Sequence, residues 1–219
     1  MELETVTTAL EQRRNPDQAV PMAKYMKNQF PFLGIKTPER RALARVAFNK
    51  IGIKNQPFDE AFVLALWEQA EREYQYTAID YLTKFVKQLK KEHIGLLETL
   101  ITTKSWWDTV DLLASNLVGP LVMQNKELIP QVIEGWATHD NMWLRRSALL
   151  FQLKYKLATD SALLYRYIIA NGDSGEFFIQ KAIGWALREY SKTNPESVRQ
   201  FISHHTLKPL SVREGSKYI

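Results

Sequence analysis

Apolar residues recur along this chain at three- and four-residue intervals. Phe62, Leu64, Leu66 and Trp67 form one set, Ala78, Tyr81, Leu82 and Phe85 a second, and Leu144, Ala148 and Phe151 a third. That spacing places apolar side chains on one face of an α-helix. No stretch alternates apolar and polar residues with β-branched enrichment, so no strand is predicted. Interruptions fall near 15–17, 29–36, 53–58, 102–105, 138–141, 171–175, 193–195 and 206–210. They divide the chain into roughly a dozen helices. Thr37-Pro38-Glu39 and Asn194-Pro195-Glu196 each set a capping residue, a first-turn proline and an acid in order. Ser211 and Glu214 have capping-box spacing.

The helices repeat. An aromatic residue opens a helix at Tyr74, Trp107, Trp143 and Phe178, at spacings of 33, 36 and 35 residues. MWLRRSALLFQLKY (142–155) and FFIQKAIGWALREY (177–190) read alike, from aromatic through basic and small to a final Tyr. A period of this length, with two helices per unit, predicts an all-α protein built as an α-solenoid. About six HEAT-like antiparallel helix pairs would form one continuous domain over 1–219, with a concave face.

Charge points to a class of partner only through its distribution. Residues 18–56 hold eight Lys or Arg against one acid, Glu39, and residues 140–219 hold twelve against seven. Between them, residues 57–139 carry seven basic and twelve acidic side chains. Two basic segments on one curved face would suit a polyanion such as DNA or RNA, although solvated helix faces also carry such charge. The chain has no Cys, and its four His show no ligand spacing. Disulfides, thiolate nucleophiles and Cys-based zinc are excluded, and no metal is expected. No apolar run reaches membrane-span length. Residues 1–20 lack a basic start followed by an apolar block, so no signal peptide is expected. These features predict a soluble, cytoplasmic protein.

Candidate chemistry gathers at the repeats. Trp107 and Asp111 are i and i+4, on one helix face. A carboxylate beside an indole can stabilise a cation by Coulomb attraction and cation–π contact. The same spacing also fits an amphipathic helix with the indole in its core. Arg146 could hold a carboxylate or a phosphate with its planar fork, and Lys154 lies near the same face. Gly184 sits mid-helix beside Trp185, where glycine costs about 1 kcal/mol relative to alanine; a glycine there usually lets something approach closely. Arg188 follows on the same side. Tyr25, between Lys24 and Lys27, adds another aromatic amid positive charge.

Four long stretches carry a resemblance: PMAKYMKNQFPFLGIKTPERR (21–41), TTKSWWDTVD (102–111), NMWLRRSALLFQLKYK (141–156) and EFFIQKAIGWALREYSKTNPE (176–196). Together they resemble the AlkD-like DNA alkylation repair glycosylases along nearly the whole chain. The resemblance implies excision of cationic N3- and N7-alkylated purines from double-stranded DNA, without a closed base pocket. It implies Asp111 as catalytic carboxylate, the indoles of Trp107 and Trp185 beside it, and Arg146 near the lesion, positioning Asp111. Tyr25, Lys36, Thr37, Arg41, Lys154 and Arg188 would face DNA. Lys36 stands where the family carries a neutral polar residue, and the chain ends at Ile219, short of the family's charged tail. No cofactor, a monofunctional enzyme and a monomer are expected. Two other readings fit a helical stack: a non-catalytic module for branched or distorted DNA, and a protein-binding scaffold. Retention of Asp111 argues against the first.

Overall fold

The computed structural model describes residues 2–219. Among the described residues there are fourteen α-helices and no strand, as the apolar spacing predicts. The chain groups into two compact units, the first ending at Leu89 and the second running from Lys90 to Ile219.

The first unit contains α1 (Glu2–Glu11), α2 (Pro16–Tyr25), α3 (Thr37–Ile51), α4 (Glu60–Glu68) and α5 (Arg72–Phe85). α1 packs on α3 and α4, and α5 packs on both α3 and α4. Tyr81 of α5 centres the core, its ring 4.9 Å from Phe62, 4.7 Å from Phe85 and 5.8 Å from Phe48. Burying each such side chain contributes about 1.5–3 kcal/mol.

The connection from α2 to α3 is held by a buried charge. Glu73 is fully buried, and its carboxylate accepts hydrogen bonds from the backbone N–H groups of Leu33 (2.9 Å), Gly34 (2.9 Å) and Ile35 (3.1 Å). Three donors replace the water that the carboxylate loses. Gly34 has φ +89°, and a Cβ there would lie 2.0 Å from the Asn15 carbonyl oxygen. Only glycine meets both constraints. This anchored loop delivers Lys36 and Thr37 to the start of α3. The helix begins one residue earlier than its capping signal suggests: Lys36 occupies the N-cap position without a side-chain cap, and Thr37 is already helical.

The second unit contains α6 (Ile94–Thr102), α7 (Trp107–Leu113), α8 (Gly119–Gln124), α9 (Glu134–Ala137), α10 (Met142–Leu150), α11 (Ser161–Asn171), α12 (Phe177–Ser191), α13 (Pro195–His204) and α14 (Pro209–Gly215). A π-helical segment, Ala114–Val118, joins α7 to α8. α7 packs on α10, and α10 on α12, so helices one sequence period apart stack side by side. This is the arrangement an α-solenoid requires. Asn194 caps α13 as expected, accepting from the Ser197 N–H at 3.0 Å. The Ser211–Glu214 capping box does not form. α14 starts earlier, at Pro209, which leaves Ser211 inside the helix with its hydroxyl donating to the Gln180 carbonyl at 3.1 Å.

No described helix is long and apolar enough to cross a membrane. Among the described residues, no group of three or more His, Asp or Glu is placed to hold a metal ion.

Candidate active site

Three stacked helices of the second unit each supply one part of the site. α7 carries Trp107 and Asp111, α10 carries Arg146, and α12 carries Trp185. Arg146 lies on the buried side of α10, 1% exposed. Its guanidinium grips Asp111 with both prongs: Nε donates to Oδ1 at 2.7 Å and Nη2 to Oδ2 at 2.8 Å. The remaining nitrogen, Nη1, donates to the main-chain carbonyl of Phe178. The guanidinium carbon also lies 5.5 Å from the Trp185 ring centroid.

The Asp111 side chain keeps 16% of its exposure. It is deep, yet solvent reaches it. Burial pushes its pKa above the ordinary aspartate value, opposed by the hydrogen bonds and charge of Arg146 and reinforced by the neighbouring Asp108. Each carboxylate oxygen offers two lone pairs, and Arg146 takes one on each. The other side of the carboxylate remains available. Trp107 and Trp185 are both half-buried. Trp107 sits one helical turn before Asp111 on the same face.

The glycine beside Trp185 serves packing. A Cβ on Gly184 would lie 2.4 Å from Glu214 Cβ and 3.2 Å from the Ser211 carbonyl oxygen, so its absence lets α14 close onto α12. That contact buries Glu214 among Lys217 (2.7 Å), Lys181 (3.2 Å) and Arg188 (3.5 Å). Hydrogen bonds from Lys217 and then Lys181 outweigh burial and hold the carboxyl at about 2. Arg188 therefore has an internal anchor, with its guanidinium carbon 6.0 Å from the Trp185 centroid. Lys154 is exposed, and its ammonium donates to Asn116 Oδ1.

The remaining predicted residues belong to the first unit. Tyr25 is 70% exposed at the end of α2. Lys36, Thr37 and Arg41 are exposed at the start of α3. Arg41 lies 3.6 Å from Asp80, which the buried Arg40 also binds, at 2.6 Å. Arg41, Arg45, Asp80 and Lys84 line an open groove of about 590 Å³ between α3 and α5.

Structure thus brings together Asp111, Arg146, Trp185 and Arg188, and sets Trp107 on the helix of Asp111. It adds groups that sequence reasoning missed. Trp143 and Phe178 marked the repeats but carried no assigned role, and the Phe178 carbonyl has no sequence signal. Glu214 carried a signal that pointed to a cap.

Residues 6–219 match the family model for the DNA alkylation repair enzyme. A solved structure described as a predicted DNA alkylation repair enzyme from Enterococcus faecalis is 39% identical, with a TM-score of 0.87, covering 94% of this chain and 97% of that one. The crystal structure of smu.31 from Streptococcus mutans UA159 is 16% identical, with a TM-score of 0.61, over 82% of this chain and 99% of that one. At that identity it speaks to the fold alone. Among curated protein sequences nothing matches. A family match across nearly the whole chain, together with a 39% identical structure of the same description, establishes that this chain belongs to the DNA alkylation repair enzyme family.

Proposed function

We propose that the protein is a monofunctional DNA glycosylase. It hydrolyses the N-glycosidic bond of purines carrying a positive charge from N3- or N7-alkylation in duplex DNA, and leaves an abasic site. One observation carries this reading: a solvent-reachable carboxylate, Asp111, is fixed by both prongs of a buried arginine beside an indole.

The chemistry follows from lesion charge. When the C1′–N bond breaks, its electron pair leaves with the base and neutralises the base's positive charge. No protein acid is needed to protonate this leaving group. Positive charge builds instead on the deoxyribose C1′, with oxocarbenium character. The ionised Asp111 stabilises that charge and orients the attacking water, which bonds to C1′ and loses its proton to solvent. Because Arg146 fixes the carboxylate beforehand, little reorganisation accompanies the reaction. Trp107 and Trp185 offer π-faces to the cationic nucleoside, at about 0.5–2 kcal/mol each. Arg146 is engaged on Asp111 and the Phe178 carbonyl, so it acts by positioning Asp111. Tyr25, Lys36, Thr37 and Arg41, with Lys154 and Arg188, contact the DNA.

Single-turnover release of 7-methylguanine from methylated duplex DNA tests the proposal. Asp111→Asn keeps shape but removes charge, and should slow release by one to three orders of magnitude, about 1.4–4 kcal/mol. DNA affinity should hold or rise slightly. Wild-type rates in Asp111→Asn would refute the catalytic assignment and favour a DNA-binding module.

A further inference from the structure

The aromatic residues that mark the sequence repeats meet in space. Trp143 of α10 and Phe178 of α12 have ring centroids 5.1 Å apart. Trp106, the N-cap residue of α7, joins them at 5.8 Å from Trp143 and 5.1 Å from Phe178. All three rings are only half-buried. The Trp106 Nε1–H is nevertheless buried, with no acceptor among the described residues. A buried donor without a partner is unfavourable, and a leucine at this position would avoid it. An indole here therefore costs more than an aliphatic side chain filling the same space.

The cluster joins the N-terminal ends of the three helices that hold Asp111, Arg146 and Trp185. Arg146 lies one turn beyond Trp143, and Trp185 two turns beyond Phe178, each on its partner's face. Phe178 contacts both indoles, and it meets Arg146 twice. Its carbonyl accepts from Nη1, and its ring centroid lies 5.8 Å from the guanidinium carbon. The register of α12 against α10 therefore decides where the third nitrogen of Arg146 is held. That in turn decides how the other two meet Asp111.

We propose that Trp106, Trp143 and Phe178 form a positioning cluster that fixes the N-termini of α7, α10 and α12 and so holds the Arg146 fork square on Asp111. Phe178 is its centre. These residues act through Arg146, and Asp111 performs the chemistry; the catalytic consequence rests on the glycosylase reading above. Arg146 and Asp108 are the charged groups that bear on Asp111. A displaced fork should weaken the favourable contribution of Arg146 and let burial raise the carboxyl further.

Two variants and one rescue test the cluster in the full chain. Phe178→Leu removes the ring but keeps the main-chain carbonyl, and Trp143→Leu removes a second ring. Trp143→Phe restores an aromatic at that place. The Asp111 carboxyl is titrated by ¹³C NMR with labelled aspartate, its resonance identified by loss in Asp111→Asn. This readout needs no base release. Phe178→Leu and Trp143→Leu should raise the Asp111 midpoint by roughly half a unit to one unit. The acid limb of single-turnover release should move with it, and the rate at neutral pH should fall about 10–100-fold, as for a misplaced catalytic group. DNA affinity should stay within about threefold. Trp143→Phe should titrate like the wild type. If either leucine variant folds and Asp111 titrates unchanged, the cluster is packing alone and the proposal is overturned. Should Phe178→Leu fail to fold, Trp143→Leu decides. If Asp111→Asn retains full activity, the glycosylase reading fails, while the titration still judges the cluster.

Discussion

Gly184→Ala adds one methyl group, and the surrounding geometry fixes what that methyl would do. Its carbon would fall 2.4 Å from Glu214 Cβ and 3.2 Å from the Ser211 carbonyl oxygen. Carbon atoms approach comfortably at about 3.5–4.0 Å, so α14 must withdraw by roughly 1 Å. Neither neighbour can rotate away, because one is a Cβ and the other is backbone. Alanine favours a helix interior over glycine by about 1 kcal/mol. Overpacking costs about 1–3 kcal/mol and more when backbone must shift. The retreat also loosens Glu214 from Lys181 and Arg188. Net destabilisation should therefore be about 1–3 kcal/mol. Gly135→Ala in α9 is the control, since a Cβ there meets nothing within 4 Å. It should leave stability unchanged or raise it by up to about 1 kcal/mol. Urea unfolding of the full chain, with both midpoints compared to wild type, makes the test. A Gly184→Ala midpoint at or above that of Gly135→Ala would refute close packing as the reason for glycine.

Other consequences follow from charge. Burial raises the Asp111 pKa, so on the proposed mechanism the carboxylate is lost as pH falls through a value above the ordinary 3.8; an acid limb of base release at or below 3.8 would contradict that environment. Glu73→Gln leaves one oxygen for three backbone donors and adds a competing N–H donor. It should destabilise by about 2–4 kcal/mol in urea unfolding, and a loss under about 0.5 kcal/mol would show that the nest is not needed. DNA affinity should fall steeply with salt, and Arg41→Ala should reduce the slope of log K against log salt by about 1. Affinity that is flat between low and moderate salt would remove the phosphate-contact argument.

Helical periodicity foretold the helices because it reports which face meets the core. Leu144 and Ala148 are buried where that face predicts. The long sequence stretches led us to expect Asp111, Arg146 and Trp185 together, and their side chains do converge, whereas spacing alone left the Trp107–Asp111 pair open. The remainder depends on contacts between helices far apart in sequence. Arg146 donates to a Phe178 main-chain atom 32 residues away. A carbonyl is common to every residue, so no sequence pattern announces that bond. Gly184 signalled a close approach but not its partner. That partner, Glu214, lies 30 residues on, within a segment whose spacing resembled a cap. The cap failed because Pro209 started the helix sooner, turning Ser211 and Glu214 toward α12.

A simple charge count would treat a carboxylate already paired with arginine as spent for electrostatic catalysis. Geometry argues otherwise. Arg146 meets Asp111 edge to edge, using one lone pair on each oxygen. The pair is then a fixed dipole, with its positive end buried and its negative end on the side solvent reaches. A cation approaching from that side meets the oxygens first and the guanidinium behind them, and Coulomb energy favours the nearer charge. Arginine also opposes the protonation that burial promotes. Removing Arg146 would therefore not free a stronger anion. It would leave a buried carboxyl inclined to take up a proton and lose the charge on which the proposed chemistry depends.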